Sequence, residues 1–343
     1  MENLKQLVKE LSAINGASGD ESRIRAKIIS LLPTDVKYAV DNLGNLIVEK
    51  KGRSTPSKKL MVAAHMDEVG FIVTHIDDDG SLCFAPVGGV LPYVVFGRQL
   101  AVNGDIYGAV AGKPMHLLKG DEGNSQPKIS DLRIDIGAEN REEAEKFVAL
   151  GDYVYFTSEQ SDFGDGYMSG KALDDRAGCA IMLQMLNGEL AYDTTFVFTV
   201  QEEVGTRGSA AAAYSVNPDI AVVLETTTAC DISGVEGEKK VCILGNGAVV
   251  SFMDRGTVYD RELYKLGFET AKEIGVKCQT KTVVAGGNDS GAIHKSAGGV
   301  RTMAISVPCR YLHSPNCVIK ETDLYDTAKL ASAMINKLGA MNS

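Results

Sequence analysis

Residues 173–227, LDDRAGCAIMLQMLNGELAYDTTFVFTVQEEVGTRGSAAAAYSVNPDIAVVLETT, carry the clearest fold signal in this chain. Helical patterns at 173–186 and 208–216 alternate with apolar runs at 194–203 and 219–227 that are short enough to be strands. Strands that alternate with helices imply a largely parallel sheet with helices on both of its faces. We therefore predict an α/β fold with a mostly parallel sheet flanked by helices.

The same alternation extends toward both ends of the chain. Helical spacing occurs at 4–14, 22–33, 261–275 and 321–341, and strand-like runs occur at 38–52, 58–67, 279–291 and 302–315. Between 69 and 165 the pattern changes to short alternating runs separated by Gly, Asp and Asn, with one helical segment at 141–150. We predict an α/β domain, residues 1–68 and 166–343, that contains an inserted small β-domain, residues 69–165, resembling a barrel or a PDZ domain.

Composition excludes several classes of partner. The 343 residues include 35 Lys and Arg against 45 Asp and Glu, a formal net charge of −10, which disfavours binding to nucleic acids or anionic membranes. No apolar run approaches the ~18 residues of a membrane span, and the first residues lack the apolar segment of a signal peptide. The seven cysteines form no CxxC pair, and their odd number suits no closed disulfide framework. We therefore expect a cytoplasmic protein.

Candidate metal ligands follow the predicted strands. Parallel sheets bind ligands at the carboxyl ends of their strands. The side chains found there are His65, Asp67, Glu202, Glu203, Glu225 and His313, and Asp174 and Asp175 open the helix at 173–186. Each of them alone could be a helix cap or a solvated loop residue. Together, two imidazoles and several carboxylates at one sheet edge are what a two-zinc site requires.

Seven motifs of the chain, taken together, resemble those of one peptidase family. They are AHMDE (64–68), ALDDRAG (172–178), QEEVGTRG (201–208), LETTTACD (224–231), FMDRGTVYDREL (252–263), GGNDSGAIH (286–294) and RYLHSP (310–315). Their order and residues resemble the tetrahedral (TET) aminopeptidases, a dizinc family that includes glutamyl and deblocking aminopeptidases. The resemblance implies a dizinc-exopeptidase-like fold and removal of N-terminal residues from peptides. It also implies dimers that assemble into a tetrahedral dodecamer, partly through the inserted β-domain.

The resemblance also implies a ligand set for two divalent ions. Asp174 matches the residue that bridges both ions, His65 and Glu225 would complete one site, and Glu203 and His313 the other. The family usually has Asp where Glu225 stands, so the metal affinity or spacing can differ here. Zn²⁺ suits these mixed nitrogen and oxygen ligands, as do Co²⁺ and Mn²⁺.

Further roles follow from the same match. Glu202 corresponds to the general base, which takes a proton from the attacking water and returns it to the leaving amine. Asp67 would orient the imidazole of His65, and Asp175 would support the bridging residue, to which related peptidases join it by a cis peptide bond. Because neighbouring residues on a strand point to opposite sides, we expect Glu202 and Glu203 to have separate roles. Three other histidines, His75, His116 and His294, match no ligand position.

Two other functions remain open at this stage. Some family members are described as endoglucanases, and a non-catalytic peptide-binding protein could retain the same fold. The segment ETTTACD (225–231) resembles the glutamyl branch and favours substrates with acidic N-terminal residues, although a broad preference for neutral residues also fits. An acidic substrate needs a basic partner, for which Arg255, Arg301 and Arg310 are candidates.

Overall fold

The structure is a computed structural model that describes residues 2–117 and 127–341. Its helices are α1 Glu2–Ser12, α2 Ser22–Ser30, α3 Arg141–Ala144, α4 Leu173–Leu186, α5 Arg207–Val216, α6 Arg261–Ile274, α7 Ser290–Ile293 and α8 Glu321–Gly339. Its strands are β1 Lys37–Val40, β2 Leu46–Lys50, β3 Leu60–His65, β4 Gly70–Ile76, β5 Leu82–Val87, β6 Gln99–Val102, β7 Ile106–Ala111, β8 Arg133–Asp135, β9 Tyr153–Phe156, β10 Ser161–Phe163, β11 Tyr167–Gly170, β12 Thr194–Thr199, β13 Ile220–Thr228, β14 Ala248–Val250, β15 Cys278–Thr280, β16 Arg301–Arg310 and β17 Cys317–Lys320. The ends of the predicted α/β domain, residue 1 and residues 342–343, lie outside the described residues.

A mixed sheet forms the larger part of the molecule and confirms the predicted α/β class. Its order is β1-β2-β12-β3-β13-β16-β17-β11-β10, and β14 pairs with both β15 and β16. The central strands β12, β3, β13 and β16 run parallel to one another, whereas β1, β2, β10, β11 and β17 pair antiparallel with their neighbours. Every residue of β3 and β12 is buried, as expected for strands covered on both faces. The short turn between β1 and β2 can join only antiparallel strands, whereas the parallel strands of the centre need longer connections.

The inserted β-unit is a closed barrel of order β4-β5-β8-β7-β6-β9. Its interior contains an aromatic cluster in which Phe71 packs edge-on against Phe84 and Phe156, with ring centroids 5.2 and 5.3 Å apart. The barrel strands lie within residues 70–156, and the β10–β11 hairpin, in which the predicted boundary at 165 falls, pairs with the large sheet instead. The helix expected at 141–150 is shorter and ends at Ala144.

The ends of the parallel strands define one edge of the large sheet. His65 is the last residue of β3 and is paired in register with Thr199, the last residue of β12. At the start of α4, Asp174 and Asp175 have non-helical backbone angles and are joined by a cis peptide bond, as the resemblance implies. Within the described ranges, no helix is both long and apolar enough to cross a membrane.

We predict that truncating Phe71 destabilises the barrel. Its ring is fully buried against two other aromatic rings, and Phe71→Ala should lower the free energy of unfolding by about 3–5 kcal/mol. Hydrogen exchange of the barrel amides measures the effect. Tyr214→Ala is the control, because this side chain is 74% exposed and its removal should change stability by no more than about 0.5 kcal/mol. Equal protection in both variants would contradict the prediction.

Candidate metal centre

The five predicted metal ligands lie together at the carboxyl edge of the sheet. They form two groups that share Asp174, namely His65, Asp174 and Glu225 in one group and Asp174, Glu203 and His313 in the other. Within each group the candidate ligand atoms lie within 4.8 Å of one another. The first and last of these residues, His65 and His313, are far apart in the sequence, so only the fold brings them together.

The carboxylate of Asp174 faces both groups. Its Oδ1 lies 3.4 Å from Nε2 of His65, and its Oδ2 lies 3.4 Å from Nε2 of His313. The first group is completed by Oε1 of Glu225, 3.3 Å from His65 Nε2, and the second by Oε2 of Glu203, 3.2 Å from His313 Nε2. A carboxylate with one oxygen in each of two ligand groups has the geometry needed to bridge two ions.

Backbone carbonyl groups orient both imidazoles. Nδ1 of His65 donates to the carbonyl oxygen of Asp67 at 3.0 Å, and Nδ1 of His313 donates to that of Gly89 at 2.8 Å. A proton on Nδ1 leaves the Nε2 lone pair free to face the carboxylates. The carboxylate of Asp67, which we expected to orient His65, is farther away, with Oδ1 3.5 Å from Nδ1.

The contact from Gly89 is a feature that our sequence reasoning missed. Gly88 and Gly89 follow β5 in the barrel, and Gly88 has a φ of +95°. A Cβ on Gly88 would lie 2.9 Å from Val69 and 3.3 Å from Glu203, so glycine is needed for this close approach. The Gly-Gly pair was the available signal that the barrel reaches the site.

Asp67 fixes the two neighbouring glutamates through their backbone. Its carboxylate accepts hydrogen bonds from Glu202 N at 3.0 Å, Glu203 N at 3.1 Å and the hydroxyl of Ser18 at 2.6 Å. The strand β12 ends at Thr199, so both glutamates lie in the loop that follows it. The alternation expected along a strand is therefore wrong for this pair, because both residues follow the end of β12 and no strand pleat sets their directions.

Burial and mutual repulsion perturb the titration of the site carboxylates. Burial, with the nearby charge of Asp174, raises the pKa of Glu203 to about 7 and that of Glu225 well above its ordinary value. Burial opposes protonation of His65, but the charges of Glu225 and Asp174 outweigh it and raise the pKa of this imidazole well above its ordinary value. The centre therefore groups more buried carboxyl groups than its two histidines could neutralise if all were ionised, and divalent cations would relieve the repulsion.

Buried oxygens without hydrogen-bond partners support the same conclusion. Among the described residues, Asp174 Oδ1 and Glu203 Oε1 are buried side-chain atoms with no such partner. Leaving a buried oxygen unpaired is costly, and oxygen and nitrogen atoms grouped in this way are ligands that zinc and related ions accept. The residues present therefore fit a pair of divalent ions.

Two further acids lie beside the ligands. Asp175 is fully buried and accepts a hydrogen bond from Gly178 N at 2.9 Å, which holds it against the first turn of α4. Asp289 precedes α7 without capping it and instead accepts a hydrogen bond from the Thr199 hydroxyl at 2.5 Å. Burial and the charges of Asp289 and Glu203 raise the pKa of Glu202 well above its ordinary value, against the opposing effect of His65.

The other histidines lie outside the two ligand groups. His75 and His116 are exposed residues of the inserted unit. His294 follows α7, and its Nδ1 lies 2.7 Å from the carbonyl oxygen of Ser290. None of these three belongs to a candidate metal group in the part of the chain that the structure describes.

Two of the three candidate arginines are engaged in ion pairs. Arg301 begins β16, at the opposite end of the strand from the ligands, and lies 2.7 Å from Asp260 and 2.6 Å from Glu262. Arg310 donates from Nε and Nη2 to the two carboxylate oxygens of Asp231, both at 2.7 Å. Their guanidinium groups are therefore already neutralised within the chain.

Arg255 differs from these two arginines. It is exposed, and within the described ranges it forms no ion pair. Its backbone N–H donates to the carbonyl oxygen of Gly286 at 2.8 Å, which places it against the loop that carries Asp289 beside the site.

Curated relatives match nearly the whole chain. A protein of Acetivibrio thermocellus assigned to the aminopeptidases is 40% identical over 332 residues, covering 96% of this chain and 97% of its own. A glutamyl aminopeptidase of Lactococcus lactis is 33% identical, covering 96% of this chain and 95% of its own. A lysyl aminopeptidase of Pyrococcus furiosus is also 33% identical and covers 98% of both chains.

Solved structures share the fold as well as the sequence. An aminopeptidase from Desulfurococcus kamchatkensis superimposes with a TM-score of 0.93 at 33% identity, covering 98% of this chain and 95% of its own. The TET1 peptidase of Pyrococcus horikoshii superimposes with a TM-score of 0.84 at 34% identity. An endoglucanase from Thermotoga maritima superimposes with a TM-score of 0.79 at 38% identity. Each of these two matches covers 97% of this chain and 99% of the other chain. Residues 44–330 match the family described as M42 glutamyl aminopeptidase, and the chain therefore belongs to that family.

Proposed function

We propose that this protein is a two-metal aminopeptidase that hydrolyses N-terminal residues from peptides. The observation that carries the proposal is the carboxylate of Asp174, whose two oxygens face two separate ligand groups. His65 and Glu225 would complete one ion site, and Glu203 and His313 the other. Zn²⁺ fits this set of imidazole and carboxylate ligands best, with Co²⁺ and Mn²⁺ as the alternatives.

The chain's own groups account for the proton transfer. When bound, the two ions would polarise the scissile carbonyl and lower the pKa of a water molecule. Glu202 is half-buried beside the ligands with a raised pKa, which suits a carboxylate that takes a proton from the attacking water and returns it to the leaving amine. Asp67 holds the backbone of Glu202 and Glu203 and so acts as a positioning residue.

A narrow cleft adjoins these groups. Its lining includes Asp174, Glu203 and His313 together with Lys171 of the large domain and Phe156 of the barrel. Both parts of the chain therefore contribute to the wall.

The preferred N-terminal side chain of the substrate is inferred from the arginines that are not already paired with carboxylates. The glutamyl and lysyl relatives are equally similar to this chain, so overall identity does not select between them. Arg301 and Arg310 are already paired with carboxylates, which leaves Arg255 as the candidate partner for an acidic N-terminal residue. On that basis we propose that the enzyme prefers substrates with acidic N-terminal residues, and a broad preference for neutral residues is the alternative.

Two alternatives are less well supported. One similar structure is described as an endoglucanase, but glycosidases use two carboxylates ~5–9.5 Å apart and do not need two imidazoles joined by a bridging acid. A non-catalytic peptide-binding protein would not need Glu202, with its raised pKa, beside the ligand groups.

A homo-oligomer is the proposed working form, and the cytoplasm is the proposed location. The TET1 peptidase of Pyrococcus horikoshii is described as able to form a tetrahedron or a large octahedral shell. We propose that this chain forms dimers that build a tetrahedral dodecamer, with the barrel at subunit contacts.

Chelation and metal replacement test the function directly. Aminoacyl-p-nitroanilides of Glu, Asp, Leu, Ala and Lys should not be cleaved after chelation, and Zn²⁺, Co²⁺ or Mn²⁺ should restore cleavage, because no charge in the chain replaces the ions. The rate with Glu or Asp should exceed that with Leu by about tenfold or more. No cleavage with any metal, together with metal-independent hydrolysis of a soluble glucan, would favour the endoglucanase alternative.

Replacing Glu202 should separate catalysis from metal binding. Glu202→Gln keeps the shape but cannot accept a proton, so kcat should fall by about 10²–10⁴ while the metal content per subunit stays unchanged. Glu203→Gln is the matched variant and should lose metal, because this residue faces His313. Steady-state kinetics and metal analysis measure both effects, and full activity in Glu202→Gln would refute the assigned base.

The assembly is tested by light scattering at physiological salt. The protein should have the mass of a dodecamer of 36.6 kDa chains. A monomer mass would contradict the proposed assembly, whereas the chelation experiment would still decide the catalytic proposal.

A further inference from the structure

Two cysteines flank the loop that carries His313. Cys309 lies near the end of β16 and Cys317 begins β17, and these strands pair antiparallel with Cys309 opposite Ile319 and Arg310 opposite Val318. In this register Cys317 lies diagonally across from Cys309 on the same face of the sheet. Both are buried in the same hydrophobic cluster, at 0% and 2% exposure.

Cys317 also contacts the backbone of this loop. Its sulfur lies 3.5 Å from the carbonyl oxygen of Tyr311 and 3.4 Å from that of Ser314. Tyr311 and His313 both have a φ of +58°, a backbone region that is unfavourable for side chains other than glycine. The Cys317 thiol therefore helps to hold the loop in the conformation that points His313 at Glu203 and Asp174.

The pair is reached from the candidate active site. Cys317 lines the same cleft as Asp174, Glu203 and His313, whereas Cys309 does not. The neighbouring Cys309 thiol lowers the pKa of Cys317, while burial and the Cys317 thiol raise the pKa of Cys309. A small oxidant that enters the cleft therefore meets the more acidic thiol first.

The remaining cysteines lack this arrangement. Across the described residues, the thiols of Cys179, Cys242 and Cys278 contact backbone carbonyl oxygens, and that of Cys83 contacts Asp77. The Cys309 thiol likewise contacts the carbonyl oxygen of Arg310 at 3.4 Å. Among the described residues, however, no other two cysteines lie on neighbouring paired strands. The Cys309–Cys317 pair is thus distinguished by its partner and by its place beside a ligand loop.

We propose that Cys309 and Cys317 form a redox modification site that controls the metal centre, an inference that rests on the proposed function. The Cys317 sulfur attacks one oxygen of a peroxide, whose O–O bond breaks to give a sulfenic acid and water. The Cys309 sulfur then attacks the sulfenic sulfur, and the hydroxyl group leaves as water with the Cys309 proton. The two thiols lose two electrons in total, the peroxide gains them, and a disulfide is formed.

The disulfide disturbs the loop that holds His313. Once bonded to Cys309, the Cys317 sulfur has no proton to share with the carbonyl oxygens of Tyr311 and Ser314. Loss of groups that support a metal ligand typically lowers metal affinity or activity by about 10–100-fold. Oxidation should therefore weaken the ion site of Glu203 and His313 more than that of His65 and Glu225.

The experiment uses the full-length, zinc-loaded protein and hydrogen peroxide. We expect the intact mass to fall by about 2 Da, and a non-reducing peptide map to contain a Cys309–Cys317 disulfide. About one of two zinc ions per subunit should be lost after gel filtration, and aminopeptidase activity should fall about tenfold or more. A phosphine reductant with added Zn²⁺ should restore both.

Matched variants distinguish this site from general oxidation. Cys309→Ser and Cys317→Ser should retain zinc and activity in peroxide relative to their own untreated samples, whereas Cys278→Ser should respond as the wild type does. Absence of the Cys309–Cys317 disulfide in the wild type, or its formation without loss of zinc, would overturn the proposal. If the protein cleaves no peptide at all, the proposed function fails, and the disulfide map and zinc content still decide this inference.

Discussion

The buried carboxylate of Asp67 is the contact on which the geometry of the site most depends. It accepts hydrogen bonds from the backbone of Glu202 and Glu203 and from the Ser18 hydroxyl, while its own carbonyl oxygen accepts one from His65. One residue thus joins the end of β3, the loop after β12 and the N-terminal region. Without these bonds, the two glutamates would lie in a loop with no regular secondary structure to direct them.

The buried carboxylates grouped at the site explain why it would bind cations. The nearest buried basic groups serve other purposes: Lys171 lies 2.7 Å from Glu68, and the guanidinium of Arg176 donates to the carbonyl oxygens of Leu11 and Met66. These groups are engaged by other partners and do not neutralise the ligands. The compensating charge for the candidate centre must therefore come from outside the chain.

The inserted barrel is part of the site as well as a separate structural unit. Gly89 accepts the hydrogen bond that orients His313, and Phe156 lines the cleft. Gly88 permits this approach because a side chain there would collide with Val69. Changes in the packing of the barrel can consequently reach a candidate metal ligand through one short backbone segment.

The sequence by itself determined the α/β class, the inserted β-unit and the identity of the candidate ligands, because helical and strand periodicities and the motifs around His65, Asp174 and His313 are local patterns. It did not determine the antiparallel pairing of β17, β11 and β10 at one edge of the sheet, the loop position of Glu202 or the contact from Gly89. Only the tertiary structure decided these features and the proximity of Cys309 to Cys317. They depend on strand register, positive φ angles and packing between segments distant in sequence, and no local pattern of residues encodes such distances.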